Sequence, residues 1–191
     1  MAVNGSRPPV LFGVSVTPDA AAIDEITNLT RIADAAGLAL LGDHHRIRGY
    51  QPGPPPTREI GLWVGAQKPR MLRLIGHLAD GWVCPLNIYI SPDEVPPLQE
   101  IIDGAASDAG RDPNRIRRIY NVLGRIGPET GGQGLNGPVE MWAETLADWA
   151  ARLRFDTFVF WPTAVSAASA TQFRVYAEEV VPRVRALLDE D

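Results

Sequence analysis

The stretch LLGDHHRIRGYQPGPPPTREIGLWVGAQKPRML, residues 40–72, holds the end of one apolar run, two adjacent histidines, a proline cluster, a second apolar run and a helix start. Consecutive parallel strands are ordinarily joined by a crossover of a dozen or more residues, usually containing a helix. Here about 18 residues separate Leu41 from Ile60. Within them QPGPPP (51–56) is neither helix nor central strand, because proline lacks the amide donor and clashes inside a helix. Either Asp43-His44-His45 is a chemical cluster at a strand end, or the join marks a place where something larger is missing.

Outward from this join, the pattern is regular. VLFGVSV (10–16) is a nearly continuous apolar run rich in β-branched residues, as in a strand buried on both faces. Asp19 can cap a helix over about 20–36, where Ile23, Ile26, Ile32 and Ala33 keep a helical spacing and Gly37 stands at the C-terminal cap. LALL (38–41) is the second strand. After the proline cluster come the strand IGLWVG (60–65), the helix PRMLRLIGHLAD (69–80) with Pro69 in its first turn, and the short strand GWVCPL (81–86). Ser91-Pro92-Asp93-Glu94 is a capping box opening a helix to about Ala109, with Pro96 and Pro97 disturbing its first turns. RIRRIYNVLG (115–124) is a strand. GPETGGQGLNG (127–137), five glycines in eleven residues, reads as a mobile βα loop without a phosphate fingerprint. A helix from Pro138 to about Arg152, the strand FDTFVFW (155–161) and a helix over 171–188 complete the chain.

Alternating strands and helices specify a parallel sheet with helices on its faces. This reading gives about six strands and five helices in one domain over residues 1–191, with an irregular proline-rich crossing at 42–59. Both an open doubly wound sheet and part of a (β/α)8 barrel fit. A complete barrel takes ~250 residues and eight units; this chain is short by about two, and the missing helix follows the second strand.

Composition narrows the functional classes. Hydrophobic residues at 45% and charged residues at 21% are ordinary for a globular domain, and no apolar run approaches the ~20 residues that span a bilayer. The start MAVNGSRPPV has no apolar core of the secretory kind. A single cysteine, Cys84, excludes an internal disulfide and fits a reducing compartment, so a cytoplasmic location is expected. The net charge of −5 argues against a nucleic-acid partner. RDPNRIRR (111–118) reads as a solvated rim. Seventeen of the eighteen basic residues are arginine, which leaves Lys68 as the lone lysine.

In parallel β/α folds ligands bind at the carboxyl ends of strands. That points to Gly65-Ala66-Gln67-Lys68-Pro69-Arg70, between a strand and a helix start. Glycine lets a ligand approach the backbone, the helix start favours an anion, and Lys68 and Arg70 add positive charge. The same residues also suit a tight connection with two solvated cations. Three histidines and one cysteine show no metal-ligand spacing. Neighbouring residues in an extended segment point to opposite sides, so His44 and His45 do not readily share a ligand. His77 falls on one helical face with Arg70 and Arg73, in solvent. Cys84 in an apolar strand reads as a small core residue. Trp63, Trp82 and Trp161 read as packing residues, any one of which could flank a ring.

WVGAQKPRMLRLIGHLADGW (63–82) resembles the luciferase-like flavin monooxygenases, above all the branch related to deazaflavin-dependent reductases. GPVEMWAETLADWAARLRFDTFVF (137–160) resembles that family's Gly-Pro helix leading into the last barrel strand. FGVSV and RIADAAGLALLG resemble its first strand, helix and second strand. The resemblance implies a (β/α)8 barrel holding FMN or coenzyme F420 at the carboxyl ends of its strands, with Gly65, Ala66, Gln67 and Lys68 near the cofactor phosphate. It implies a flavin- or deazaflavin-dependent oxidoreductase or monooxygenase acting on a small molecule, with His44 as acid or base near the ring. HHRIRGYQPGPPP (44–56) also resembles the approach to the family's fifth strand. The join therefore reads as an internal deletion of strands three and four with their helices, which makes a non-catalytic cofactor-binding or interaction module the alternative. A barrel left open exposes edges and apolar surface, so a homo-oligomer, or association with a full-length barrel, is expected.

Overall fold

In a computed structural model that describes residues 10–15, 40–42, 61–163 and 167–189, the first strand of the chain lies beside the last. Strand β1 (Leu11–Ser15) pairs in parallel with β7 (Thr157–Pro162), Leu11 opposite Thr157, and on its other side with β2 (Leu40–Gly42). Next to β7 lies β5 (Arg117–Ile126), then β4 (Gly81–Cys84), then β3 (Trp63–Gly65), every pair parallel. The path β2-β1-β7-β5-β4-β3 runs in cyclic order, last strand against first. A doubly wound sheet would reverse direction at a switch point; this one follows barrel order, which settles the choice between the two layouts. Among the described residues the sheet is not closed. Its ends are β2 and β3, consecutive in sequence, and no pairing joins them among the described residues. The crossing at 42–59 and the helix expected over 20–36 lie outside those residues.

The described helices match the predicted ones, except that the last begins four residues earlier than 171: α1 (Pro69–Leu78), α2 (Val95–Asp108), α3 (Val139–Leu153), and α4 (Ala167–Val175) continuing through a wider turn at 176–180 into α5 (Val181–Asp189). Pro92–Glu94 forms a tight turn ahead of α2, so Val95, Pro96 and Pro97 fall in its first turn, where proline is tolerated. The Glu94 carboxylate accepts hydrogen bonds from the Ser91 hydroxyl at 2.7 Å and amide at 2.9 Å, which hold its pKa below the usual value.

Alternate residues of the strands face the helices and form the core. Trp82, Tyr120, Phe158 and Phe160 are fully buried, joined by Phe12, Phe155 and Trp142. The Tyr120 and Phe155 rings stack at 4.5 Å, and Trp142 meets Phe160 edge-on at 5.0 Å. The α1–α2 contact depends on a glycine: a Cβ on Gly76 would stand 2.5 Å from the Ile102 carbonyl oxygen.

Two expectations are revised. GPETGGQGLNG folds back on β5, where Leu135–Gly137 forms a further short parallel strand, β6, with Leu135 opposite Gly124. Asn136 donates to the carbonyls of Gly131 and Gln133 at 3.0 and 2.9 Å, and the positive φ angles of Gly131, Gly132 and Gly134 make the turns. This is an ordered extension of the sheet rather than a bare loop. Nor is RDPNRIRR a solvated rim. Arg111 caps the end of α1, donating to the Gly76 and Ala79 carbonyls at 2.6 and 2.7 Å, and Arg118 is buried. The sequence reading missed this because a buried arginine needs partners from distant segments.

Candidate functional site

The carboxyl end of β3 carries the four residues singled out by sequence. Gly65 is exposed, and a Cβ there would meet only the Val83 carbonyl oxygen at 3.8 Å, an ordinary contact. Its φ is not positive. Among the described residues neither packing nor backbone geometry requires glycine at this point. Gly76 and Gly81 differ. A Cβ on Gly81 would strike the Trp63 ring at 2.8 Å.

Ala66 is tied down: its carbonyl accepts the Trp82 indole N–H at 2.8 Å. Trp82 thus does more than pack, since it fixes the loop from below. Gln67 and Lys68 are exposed, and Lys68 occupies the N-cap of α1. Its carbonyl takes the Met71 and Leu72 amides, each at 3.0 Å, and Pro69 has no amide to offer. The helix start therefore presents fewer amides to an anion than the sequence implied, which shifts the attraction toward the cationic side chains. Arg70, Arg73 and His77 are exposed along α1.

Two residues not assigned to the site by sequence, Asn121 and Asn87, lie at the same end of the sheet as Trp161. Asn121 on β5 accepts the Trp161 indole N–H through Oδ1 at 3.0 Å and donates from Nδ2 to the Cys84 carbonyl at 2.9 Å. Asn87, just past β4, accepts the Leu123 amide at 2.9 Å, donates to the Leu123 carbonyl at 3.2 Å, and sends its own amide to the Asn121 carbonyl at 3.1 Å. The ends of β4, β5 and β7 are laced together. The sequence carried one signal, an asparagine inside the apolar run RIYNVLG. Cys84 is buried, and burial pushes its thiol well above the usual range, which fits an inert core residue.

His44 and His45 follow Gly42 at the carboxyl end of β2 and lie outside the described residues. No group of three or more histidine, cysteine or acidic residues able to hold a metal occurs among the described residues.

The charged groups gather at the opposite end. Asp156 accepts the Arg118 amide at 3.1 Å and the Thr157 hydroxyl at 2.8 Å, and lies 3.2 Å from Arg117 Nε. Asp103 on α2 pairs with both Arg118 and Arg154. Burial lowers the Arg118 pKa to about 10, with Asp103 opposing the shift, so the group stays charged at neutral pH. In barrels this amino-terminal end serves stability and the carboxyl end serves chemistry.

Parallel strands in cyclic order, with β2 and β3 unpaired to one another among the described residues and a loop opened by Gly65 at the carboxyl end, define the fold of an incomplete (β/α)8 barrel. Solved structures agree. The chain superposes on the coenzyme F420 dependent tetrahydromethanopterin reductase from Methanopyrus kandleri with a TM-score of 0.54, covering 65% of this chain and 51% of that one at 13% identity. An F420-dependent secondary alcohol dehydrogenase gives 0.54, covering 68% and 50% at 12% identity. Flavoprotein 390 gives 0.65, covering 94% of this chain and 98% of its own at 10% identity. No family model matches the chain. Over 55 residues it is 46% identical to the phthiodiolone/phenolphthiodiolone dimycocerosates ketoreductase of Mycobacterium tuberculosis, and 47% identical to that of Mycobacterium kansasii. That match takes in 29% of this chain and 14% of those relatives. No helix among the described residues is long and apolar enough to cross a membrane.

Proposed function

We propose that the chain binds FMN or coenzyme F420 at the carboxyl end of its sheet and serves as an oxidoreductase or monooxygenase of the luciferase-like kind. The observation carrying this reading is Gly65: an exposed glycine ending a strand, with no close contact at its Cβ position among the described residues, followed within three residues by the chain's single lysine at a helix start. An open backbone beside a cation suits a phosphate. Gly65, Ala66, Gln67 and Lys68 would hold that phosphate, with Trp82 keeping Ala66 in place. The cofactor supplies the redox chemistry when bound, and the chain orients it. His44, following the carboxyl end of β2, is proposed as acid or base near the ring. The substrate would be a small molecule.

A second reading is favoured by the seam left unpaired between β2 and β3 among the described residues. Here the short barrel is a cofactor-binding or interaction module without turnover, its internal deletion having removed strands three and four. In either reading the chain assembles with itself or with a full-length barrel, which would cover the exposed Leu62, Met71, Leu74 and Leu78 along β3 and α1. The cell interior is its proposed location.

Titration of the purified protein with FMN and with coenzyme F420, followed by fluorescence, tests the shared premise. Saturable binding of one supports it, and binding of neither removes both readings. His44→Ala then separates them. In an enzyme it lowers turnover while leaving cofactor affinity unchanged; in the module there is no turnover to lose.

A further inference from the structure

We infer that Asn121, with Asn87 behind it, is a positioning residue that holds Trp161 as a flat wall for the planar ring of the bound cofactor. This rests on the cofactor reading above and adds to it the place of the ring. Trp161 is half-buried, whereas its neighbour Phe160 is fully buried in the core. In register Trp161 stands opposite Leu123, and Asn121 stands opposite Val159, two residue pairs nearer the amino-terminal end of the strands. Side chains alternate across a strand, so Asn121, Leu123, Val159 and Trp161 share the face turned away from the helices.

The hydrogen-bond accounting assigns the roles. Asn121 spends Oδ1 on the Trp161 indole and Nδ2 on the Cys84 carbonyl. The Asn87 side chain spends both ends on Leu123. The bonds these amides already make suit them to hold their neighbours in place rather than to reach for a ligand. What they hold is an indole fixed by its edge, so that its orientation is set before a ligand arrives. Partly exposed indole packing does not need three strand ends laced behind it, whereas a preorganised stacking surface does. Trp161 belongs to the last strand and Gly65 to the edge strand β3, so the ring wall and the phosphate loop stand on different strands of one rim. They answer to different parts of one ligand.

The test uses FMN and riboflavin, which share the ring and differ by the phosphate, in titrations of the full chain. Trp161→Leu is expected to weaken both ligands equally, by about tenfold, and to abolish the visible circular dichroism that a fixed wall induces in a bound flavin. Trp161→Phe keeps a ring without its anchor, and Asn121→Leu keeps the indole without its holder. Both are expected to retain most of the affinity while losing much of the induced dichroism, which a merely structural role would leave untouched in any variant that melts cooperatively. Lys68→Glu should weaken FMN alone. If Trp161→Leu binds both flavins as the parent does, with the dichroism intact, the wall is overturned while the phosphate loop stands. If FMN and riboflavin bind alike and Lys68→Glu changes neither, the loop reading falls while a Trp161 effect still supports the wall. Failure of the parent to bind FMN, riboflavin or coenzyme F420 overturns both.

Discussion

The two ends of the sheet use opposite chemistries. At the amino-terminal end Asp103, Asp156, Arg117, Arg118 and Arg154 join α2, β5, the end of α3 and the start of β7 in an ionic network, much of it shielded from water. At the carboxyl end stand Gly65, Asn121 and Trp161 on their strands and Asn87 just past β4, while the charged groups there, Lys68, Arg70 and the exposed Arg125–Glu129 pair, sit on the rim in solvent. Charges are committed to one another where the fold must be held, and are left in solvent where a ligand can arrive. A buried ion network is costly to break, because each partner left behind is a desolvated charge. A rim cation costs little to change. Substitutions at the first end should therefore move stability alone, and substitutions at the second should move binding alone.

The largest effect expected is that of Asp156→Ala. It strips the partner from Arg117, the acceptor from the Arg118 amide and the bond from the Thr157 hydroxyl. A loss of about 3–5 kcal/mol should appear as a melting temperature lower by roughly 10 °C, with ligand affinity of the folded fraction unchanged. A loss under 1 kcal/mol by chemical denaturation would break the comparison at its stable end.

Paired glycine substitutions come next. Gly76→Ala forces a methyl against the Ile102 carbonyl and Ala105, and overpacking of this kind costs about 1–3 kcal/mol. Gly65→Ala meets only the Val83 carbonyl at 3.8 Å, so its melting curve should overlay the parent's, while the phosphate-bearing cofactor binds more weakly. Equal destabilisation by the two would show that Gly65 serves packing after all.

Lys68→Glu sharpens the other side. A negative charge beside a phosphate a few Å away costs on the order of 1–4 kcal/mol near a surface, so affinity should drop at least about tenfold, in a salt-dependent way. Stability should hold within about 0.5 kcal/mol, because the helix dipole favours a carboxylate at this position. Salt-insensitive, unchanged affinity in a calorimetric titration would place the phosphate elsewhere.

The smallest effect expected is at Glu94, which is exposed. Its pKa is depressed by the Ser91 hydroxyl and then the Ser91 amide. A depressed carboxyl contributes stability above its ordinary value of 4.5 and loses it as pH falls through the folded-state value. The gap in melting temperature between the parent and Glu94→Ala should thus be small at pH 7 and close on acidification. A gap that widens in acid would reverse the sign of this argument.

Sequence pattern alone determined the described elements other than β6, and the candidate loop. Apolar runs such as VLFGVSV and FDTFVFW, the proline at the start of α1 and the box at Ser91–Glu94 are local signals, each fixed by one segment's own period or cap. Local signals also put Gly65 at a strand end and Lys68 at a helix start, where the structure has them. Only the tertiary structure decided between barrel order and a doubly wound sheet, because that choice rests on β1 lying against β7, nearly the whole chain apart. It also decided that Arg111 caps α1 and that Arg118 is buried, since their partners on α1 and α2 come from distant segments. Trp82 as the holder of Ala66, and Asn121 as the holder of Trp161, emerged the same way. A strand's period tells which residues share a face; which distant atom completes a hydrogen bond depends on the register between strands, and no single segment contains it.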